Sequence, residues 1–238
     1  MHIIGIKILK SFIMNNPKQL IFPWSIKNKA SFEHYYFEDI NLSLKDALLK
    51  KDDLFVYGIS GTGKSFLLQS SCNHISLAKK LSLYIPLNDV IKHGPGFLDS
   101  LEELDLICID EIDLIAGNKE WEIAIFNLIN NCLISKCRLI FSSQLNPSNI
   151  EFNLVDLFSR IKKIDHMELF PITDKNHENA IRFITKTKSL NLGDNEINYL
   201  MTHSKRNISN LIEILEKLDK LSLELKRKIT IPLIKEVI

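Results

Sequence analysis

The chain has 238 residues, 45% of them hydrophobic and 25% charged, and its formal net charge is +1. This composition is ordinary for a globular protein and leaves room for one generous domain or two smaller ones. A net charge near zero provides no overall field that favours nucleic acid, which argues against a protein whose main role is to grip DNA.

The apolar runs and the cysteines together lead us to expect a cytoplasmic protein with no membrane partner. No apolar run reaches the ~18 residues that a membrane-spanning helix needs. The four cysteines show no C-x-x-C spacing and are interpreted as buried free thiols in a reducing compartment: Cys72, Cys108, Cys132 and Cys137.

The beginning of the chain carries a short apolar stretch within a segment otherwise typical of a tail and linker. Residues 1–18 lack the apolar core and the cleavage site of a signal peptide and are expected to be a disordered tail. The stretch Gln19–Trp24 follows, with four large apolar residues. Burying one such side chain is worth ~1.5–3 kcal/mol, so something is expected to cover them. Either the protein's own domain does so, or the stretch is a linear docking peptide in which Pro23 limits the entropy lost on binding.

The next feature is the motif G-x-x-x-x-G-K-[ST], a phosphate-binding P-loop between a predicted strand, Leu54–Tyr57, and a predicted helix, Lys64–Leu81. Glycines let the backbone N–H groups approach a polyphosphate. Lys64 supplies a positive charge at the β- and γ-phosphates, and Ser65 supplies a hydroxyl to Mg²⁺. We therefore predict a nucleotide site with these contacts: Gly58, Ser60, Gly61, Thr62, Gly63, Lys64, Ser65 and Phe66.

The predicted strand Leu106–Ile109 ends in two acids, Asp110 and Glu111, which is the Walker B pattern. Ligands of parallel sheets lie beyond the carboxyl ends of the strands. Asp110 is predicted to contact the nucleotide's Mg²⁺ together with Ser65, and Glu111 is predicted to orient the nucleophilic water. Many strands end in acids, so the pair alone is a weak signal. Its position about fifty residues after a P-loop makes the Walker B interpretation specific.

The strand predicted at Leu139–Phe141 runs into Ser142, Ser143 and Gln144. In P-loop ATPases of the AAA+ class, a polar side chain at this place lies near the γ-phosphate and is called sensor I. Ser143 is therefore included among the predicted nucleotide contacts. The alternative is a strand end that is merely capped by serines.

Arg160 follows a polar loop in the sequence Leu157-Phe158-Ser159-Arg160. A guanidinium is planar and always charged, so it can bridge phosphate oxygens on a neighbouring subunit's nucleotide as an arginine finger. The alternative is a surface arginine in an ion pair with Asp156.

The pattern of strands and helices predicts the fold class. Strands alternating with helices predict an α/β domain over residues 30–170, with a parallel sheet covered on both faces. After Pro171 the pattern changes to helices only, so residues 171–238 are predicted to form a small all-α domain. Asp174 and Asp194 are predicted N-caps. The remaining elements are strands at Leu83–Ile85 and Met167–Leu169 and helices at Lys119–Ile134, Asp174–Ser189, Asp194–Thr202, Ile208–Leu225 and Ile231–Ile238.

Several of these stretches resemble the DnaA/Hda family of AAA+ ATPases, and the similarity is closer to the short Hda-type regulators than to the replication initiators. It is carried by the P-loop, Leu106–Glu111, Ile115–Asn127, Leu157–Arg160 and Arg227–Pro232. The resemblance runs from about residue 32 to the end and implies an AAA+ P-loop sheet followed by a helical lid. The DNA-binding helix-turn-helix of the initiators has no counterpart in this sequence.

The resemblance implies a negative regulator of chromosomal replication initiation. It implies a cytoplasmic, replisome-associated protein that holds ADP or ATP with Mg²⁺ and presents Arg160 to DnaA, stimulating hydrolysis of DnaA's ATP. It also implies that the apolar stretch docks on the sliding clamp of DNA polymerase III, so that contact with DNA is indirect. The residues implied in clamp binding are Gln19, Leu20, Phe22, Pro23 and Trp24.

Two departures from the family pattern bear on the protein's own ATPase activity. Gln144 stands where the initiator has an aspartate in sensor I, and Ser209 stands where the lid carries the sensor II arginine, with Arg206 one turn earlier. Both favour weak intrinsic hydrolysis, whereas Glu111 favours activity. Whether the protein is itself an enzyme stays open.

Three other functions stay open: a DnaC-type helicase-loading ATPase, a non-catalytic nucleotide-gated adaptor on the clamp, and a remnant of an initiator. A homo-oligomer is open as well. The Gln19–Trp24 stretch argues against the loader and the remnant, neither of which needs a clamp-docking peptide.

Overall fold

The computed structural model describes residues 30–204 and 208–238. The predicted tail and the Gln19–Trp24 stretch lie outside the described residues, as does Arg206. Within the described part of the chain, every helix is too short or too polar to cross a membrane.

A five-stranded parallel sheet forms the centre of the first domain. Its order is β2-β3-β4-β1-β5, and each neighbouring pair is parallel. The fold class predicted from the sequence is confirmed. The last strand begins two residues earlier than predicted. The strands are β1 (Leu54–Tyr57), β2 (Ser82–Pro86), β3 (Leu106–Asp110), β4 (Arg138–Ser143) and β5 (Asp165–Glu168).

Within residues 30–170, the sheet domain has five α-helices: α1 (Leu42–Leu49), α2 (Lys64–Leu77), α3 (Leu87–Val90), α4 (Lys119–Ser135) and α5 (Val155–Lys163). The helix α2 ends four residues before the predicted end, because Lys79 adopts a left-handed conformation with φ of +60°. The helices α1, α3 and α5 were not predicted. Short 3-10 helices connect the elements at Phe32–His34, Asp39–Asn41, Ile91–His93, Pro95–Leu98, Leu101–Glu103, Ile112–Ile115, Pro147–Asn149 and Asp174–Asn176.

The second domain is helical, as predicted, with α6 (His177–Thr187), α7 (Asp194–His203), α8 (Ile208–Leu225) and α9 (Ile231–Val237). These helices share a core of their own that includes Leu200, Leu215, Leu218 and Ile234.

The two predicted N-caps are wrong. Thr173 occupies the N-cap position of the first helical turn of the lid, without a capping hydrogen bond from its side chain, and Gly193 occupies the N-cap position of α7. Glu196 reaches back to accept a hydrogen bond from the Gly193 N–H at 3.1 Å. The Asp194 side chain instead accepts from the guanidinium of Arg182 at 2.6 Å.

Apolar residues cover both faces of the sheet, as expected for buried parallel strands. Phe55, Ile107 and Phe141 belong to a cluster with side chains of α4 and α5. Their strand neighbours Leu54 and Ile140 belong to a second cluster with side chains of α1 and α2. All four cysteines are buried and none forms a disulfide, as predicted.

Side chains from the segment before α1 form hydrogen bonds with the linker that connects the sheet domain to the lid. The Asn41 side chain exchanges two hydrogen bonds with the backbone of Phe170, at 2.9 and 3.1 Å. The buried Glu38 carboxylate accepts from the backbone N–H and the hydroxyl of Thr173, at 2.6 and 3.0 Å. These contacts fix the start of the lid relative to the sheet.

Candidate nucleotide-binding site

The P-loop connects β1 to α2 and requires glycine at two closely packed positions. Gly58 has φ of +155°, and a Cβ atom there would lie 2.5 Å from the carbonyl oxygen of Leu169. Gly63 has φ of +97°, and a Cβ atom there would lie 2.7 Å from the ring of Tyr35. The loop is therefore held between the residue that follows β5 and an aromatic side chain from the segment before α1.

Lys64 is the buried cation of the loop, with only 7% of its surface exposed. Its Nζ donates to the carbonyl oxygens of Gly58 and Ile59 at 2.6 and 2.9 Å. Burial lowers the pKa of Lys64, and the nearby carboxylates of Asp110, Asp113 and Glu111 oppose that decrease. The lysine thus lies next to the acidic end of β3, as the P-loop hypothesis requires.

Tyr35 supports the outer side of the loop. Its hydroxyl donates to the carbonyl oxygen of Thr62 at 2.6 Å, and its ring stacks against Phe66 with centroids 6.1 Å apart. Burial, with the nearby Glu38 carboxylate, raises the pKa of Tyr35. The sequence reasoning missed this residue, because an aromatic side chain so far before the motif carries no signal of its own. Ser60 and Ser65 are exposed at the loop surface.

The Asp110 carboxylate is held by two hydroxyl groups. Tyr84 donates to its Oδ2 at 2.6 Å, and Ser142 donates to its Oδ1. Ser142 Oγ also accepts from the backbone N–H of Glu111 at 3.0 Å. Asp110 is 3% exposed, so its orientation is set by these partners.

Glu111 adopts a left-handed backbone conformation with φ of +60°. Such a conformation is uncommon for a residue with a side chain, and it directs the chain away from the line of the strand. Burial and then the charges of Asp110 and Asp113 raise the pKa of Glu111, and Lys64 opposes the increase. The carboxyl therefore takes up protons more readily than an isolated glutamate does.

Ser143 and Gln144 follow at the end of β4. The buried hydroxyl of Ser143 accepts from the backbone N–H of Leu145 at 2.9 Å. This contact agrees with the alternative that the serines cap the end of the strand. The Gln144 N–H donates to Asp113 at 3.3 Å, and its side chain is exposed. A contact of Ser143 with the γ-phosphate stays a prediction.

The sheet order brings the predicted contacts together, since β3, β4 and β1 are neighbours and their carboxyl ends share one edge. Among the described residues there is no group of three or more His, Cys, Asp or Glu side chains that could hold a metal ion. Mg²⁺ is commonly held by one or two protein oxygens together with the phosphates of the substrate. The hydroxyl of Ser65 and the carboxylate of Asp110 fit such a site, in which the ion would neutralise phosphate charge.

Arg160 lies in the second half of α5, half-buried, and forms no ion pair within residues 30–204 and 208–238. The alternative pairing with Asp156 is therefore not formed. The lid position predicted for sensor II is not placed, because Arg206 and the side chain of Ser209 lie outside the described residues.

The helix that carries Arg160 is anchored by Glu122, a completely buried carboxylate in the first turns of α4. One oxygen accepts from the N–H groups of Gly117 and Asn153 at 2.8 and 3.1 Å. The other accepts from the N–H of Leu154, the N-cap residue of α5, at 2.7 Å. This role could not be predicted, since a glutamate in the first turns of a helix is ordinarily an exposed partner of the helix dipole.

These features define a class of protein. A parallel sheet of this strand order, a P-loop after β1, acids at the end of β3 and a helical domain after β5 make it a P-loop protein of the AAA+ class.

Comparison with family models then gives the family. The model described as the bacterial DnaA ATPase domain matches residues 41–164, more than half of the chain. The model described as the Hda lid domain matches residues 174–238. The chain belongs to the DnaA family of AAA+ proteins and carries the lid domain of the Hda type.

Individual relatives agree. A protein of Haemophilus influenzae, described as uncharacterized, is 32% identical over 228 residues, which cover 93% of this chain and 98% of that one. Domain III of the Thermotoga maritima replication initiation protein DnaA matches with a TM-score of 0.73 at 21% identity, covering 90% of this chain and 99% of that chain. AMPPCP-bound DnaA from Aquifex aeolicus matches with a TM-score of 0.66 at 22% identity, covering 83% and 67%. At these identities the two structures establish the shared fold.

We predict that Glu122→Gln lowers the free energy of unfolding by about 1–3 kcal/mol, because an amide nitrogen would face backbone N–H groups that need acceptors. Chemical denaturation would measure the change. The matched control is Glu120→Gln, an exposed position on the same helix, which should leave the midpoint nearly unchanged. Equal midpoints for the two variants would contradict the anchoring role of Glu122.

Proposed function

We propose that this protein binds ADP or ATP with Mg²⁺ at the P-loop and, in that state, restrains replication initiation by stimulating ATP hydrolysis by DnaA. The observation that carries the proposal is the combination of a DnaA-type ATPase domain with an Hda-type lid in one chain. The P-loop geometry supports it, as does the absence of an ion pair at Arg160 among the described residues.

Nucleotide binding rests on three groups that converge at one edge of the sheet. The N-terminus of α2 offers free backbone N–H groups to an anion. Lys64 exchanges its carbonyl partners for phosphate oxygens, and Ser65 and Asp110 hold the ion. A DnaA structure of the same fold is described as bound to AMPPCP, which supports a nucleotide at the corresponding place here.

Slow hydrolysis of the protein's own nucleotide is the second part of the proposal. Glu111 opposes this part, because it is a candidate for orienting a water and its raised pKa makes its ionised carboxylate a stronger base. Gln144 is neutral where the initiators carry an acid. The nucleotide is then mainly a structural ligand.

The catalytic contribution to DnaA is made by Arg160. Its guanidinium has no ion-pair partner within the described residues, so no such pair needs to be broken before it contacts a phosphate on another protein. The helix that carries it is fixed at its beginning by Glu122. Because the backbone of this helix is already ordered, little backbone entropy is lost when Arg160 binds the partner's nucleotide.

Docking on the sliding clamp through the Gln19–Trp24 stretch completes the proposal. The stretch lies outside the described residues, so its support is its composition and the family resemblance. Tethering the protein to a clamp on DNA raises its effective concentration near DnaA without adding any contact between the two proteins.

We predict that Lys64→Ala weakens nucleotide binding about 10- to 100-fold, since it removes a charge-assisted contact worth about 1.5–3 kcal/mol. Titration calorimetry with ADP and with ATP measures the effect. Lys50→Ala, an exposed lysine of the same domain, is the matched control. An unchanged affinity in Lys64→Ala would refute the P-loop assignment.

For Arg160, we predict that the alanine variant loses the stimulation of DnaA hydrolysis, by about 10³-fold or more, while it keeps nucleotide affinity and clamp binding. The assay is ATP turnover by purified DnaA with clamp loaded on DNA. Arg160→Lys should recover little, because a lysine lacks the bidentate fork. Lys163→Ala, exposed at the end of the same helix, should stimulate like the wild type.

The stimulation assay also separates the alternatives. Stimulation that survives in Arg160→Ala would show that another residue is the finger. No stimulation by the wild-type protein, with clamp binding intact, would favour the nucleotide-gated adaptor. Neither stimulation nor clamp binding, with binding to a replicative helicase instead, would favour the loader.

We predict that the double variant Gln19→Ala, Leu20→Ala loses clamp binding, because it removes a hydrogen-bonding side chain and an apolar anchor from the docking peptide. Surface plasmon resonance on immobilised clamp measures it. Nucleotide affinity serves as the folding control and should not change. Clamp affinity equal to that of the wild type would assign the stretch another role.

A further inference from the structure

Tyr84 lies at the predicted metal site although no sequence motif includes it. It belongs to β2, at the edge of the sheet, and is 5% exposed. In the register of β2 with β3 it pairs with Cys108, two residues before Asp110. Its ring is part of the apolar cluster on the α1 and α2 side of the sheet, and its hydroxyl reaches the acidic end of β3.

The Tyr84 hydroxyl holds the predicted carboxylate ligand of Mg²⁺. It donates to Asp110 Oδ2 at 2.6 Å. Both side chains are buried, since Tyr84 is 5% exposed and Asp110 is 3% exposed.

This arrangement suits a metal-binding carboxylate. The proton of the Tyr84 hydroxyl is directed to one oxygen of Asp110. Ser142 holds the other oxygen of the same carboxylate, so both are oriented by protein hydroxyls. Each carboxylate oxygen keeps a further lone pair for the ion or its water.

We propose that Tyr84 is a positioning residue for Mg²⁺: its hydroxyl orients Asp110 and so contributes to the gain in nucleotide affinity that the ion brings. This inference rests on the proposed nucleotide binding and adds a residue to that site. Groups that orient metal ligands typically change metal affinity 10- to 100-fold when they are removed. A residue that served only to fill the core would need its ring and not its hydroxyl.

The test compares Tyr84→Phe with the wild type in four titrations: ADP with Mg²⁺, ADP with EDTA, and the same pair with ATP. The measured quantity is the ratio of affinities with and without the ion. We expect the ratio in Tyr84→Phe to fall by about tenfold or more, with the affinity in EDTA unchanged within about twofold. The same chemical change at Tyr199, whose ring stacks on His203 in the lid, is the matched control and should keep the wild-type ratio.

A purely structural role would lower the affinity with and without the ion alike and leave the ratio at its wild-type value, which would overturn the proposal. If Tyr84→Phe is too unstable to titrate, Ser142→Ala removes the other hydroxyl on Asp110, and the same loss of ratio is expected from it. Wild-type protein that binds no nucleotide would overturn the proposed function and this inference together. Magnesium-dependent binding that survives in both variants would overturn this inference alone.

Discussion

The close approach of Gly58 to the carbonyl of Leu169 is the contact that connects the parts of this molecule. It exists because β5 lies next to β1, and because the N–H of Leu169 donates to the carbonyl of Tyr57 at 2.7 Å. Any side chain at position 58 would push these two segments apart. The P-loop therefore begins against the residue from which the lid linker departs. Since Asn41 and Glu38 then fix the linker, phosphate loop and lid share one attachment point.

Electrostatics explains why the acidic end of β3 is built with so many hydrogen bonds. Asp110, Glu111 and Asp113 lie near one another, with Lys64 as the cation that offsets them. Like charges at short range are costly in a partly buried site. Hydroxyl donors on Asp110 and the backbone N–H of Gln144 on Asp113 stabilise the charged forms in place. A magnesium ion fits this field, since it adds positive charge between these carboxylates and the phosphates of a nucleotide.

The sequence was sufficient for the sheet and the lid because their signals are local: apolar runs of strand length, three- and four-residue spacing, and the P-loop motif. It was insufficient for Tyr84 and Glu122. The first looks like any core residue of a strand and the second like any acid in a helix, and only contacts across 26 and 32 residues of sequence give them their roles. The N-cap prediction at Asp194 was wrong for a similar reason, because Arg182, from the preceding helix, takes that side chain. The individual site residues and the domain limits stay predictions.

A nucleotide site of the proposed kind has a physical use in this fold even if its own hydrolysis is slow. A ligand that binds only the folded state stabilises it by about 2.7 kcal/mol at a hundredfold excess over its dissociation constant. Here that free energy acts on a continuous segment. The helix α5 with Arg160 runs directly into β5, β5 into Leu169, and Leu169 into the lid linker. The proposed nucleotide would bind a loop that packs against Leu169, and Leu169 belongs to the same segment as Arg160. The proposed finger and the proposed nucleotide site are thus connected by one continuous stretch of chain. This connection does not require the protein to hydrolyse its own nucleotide.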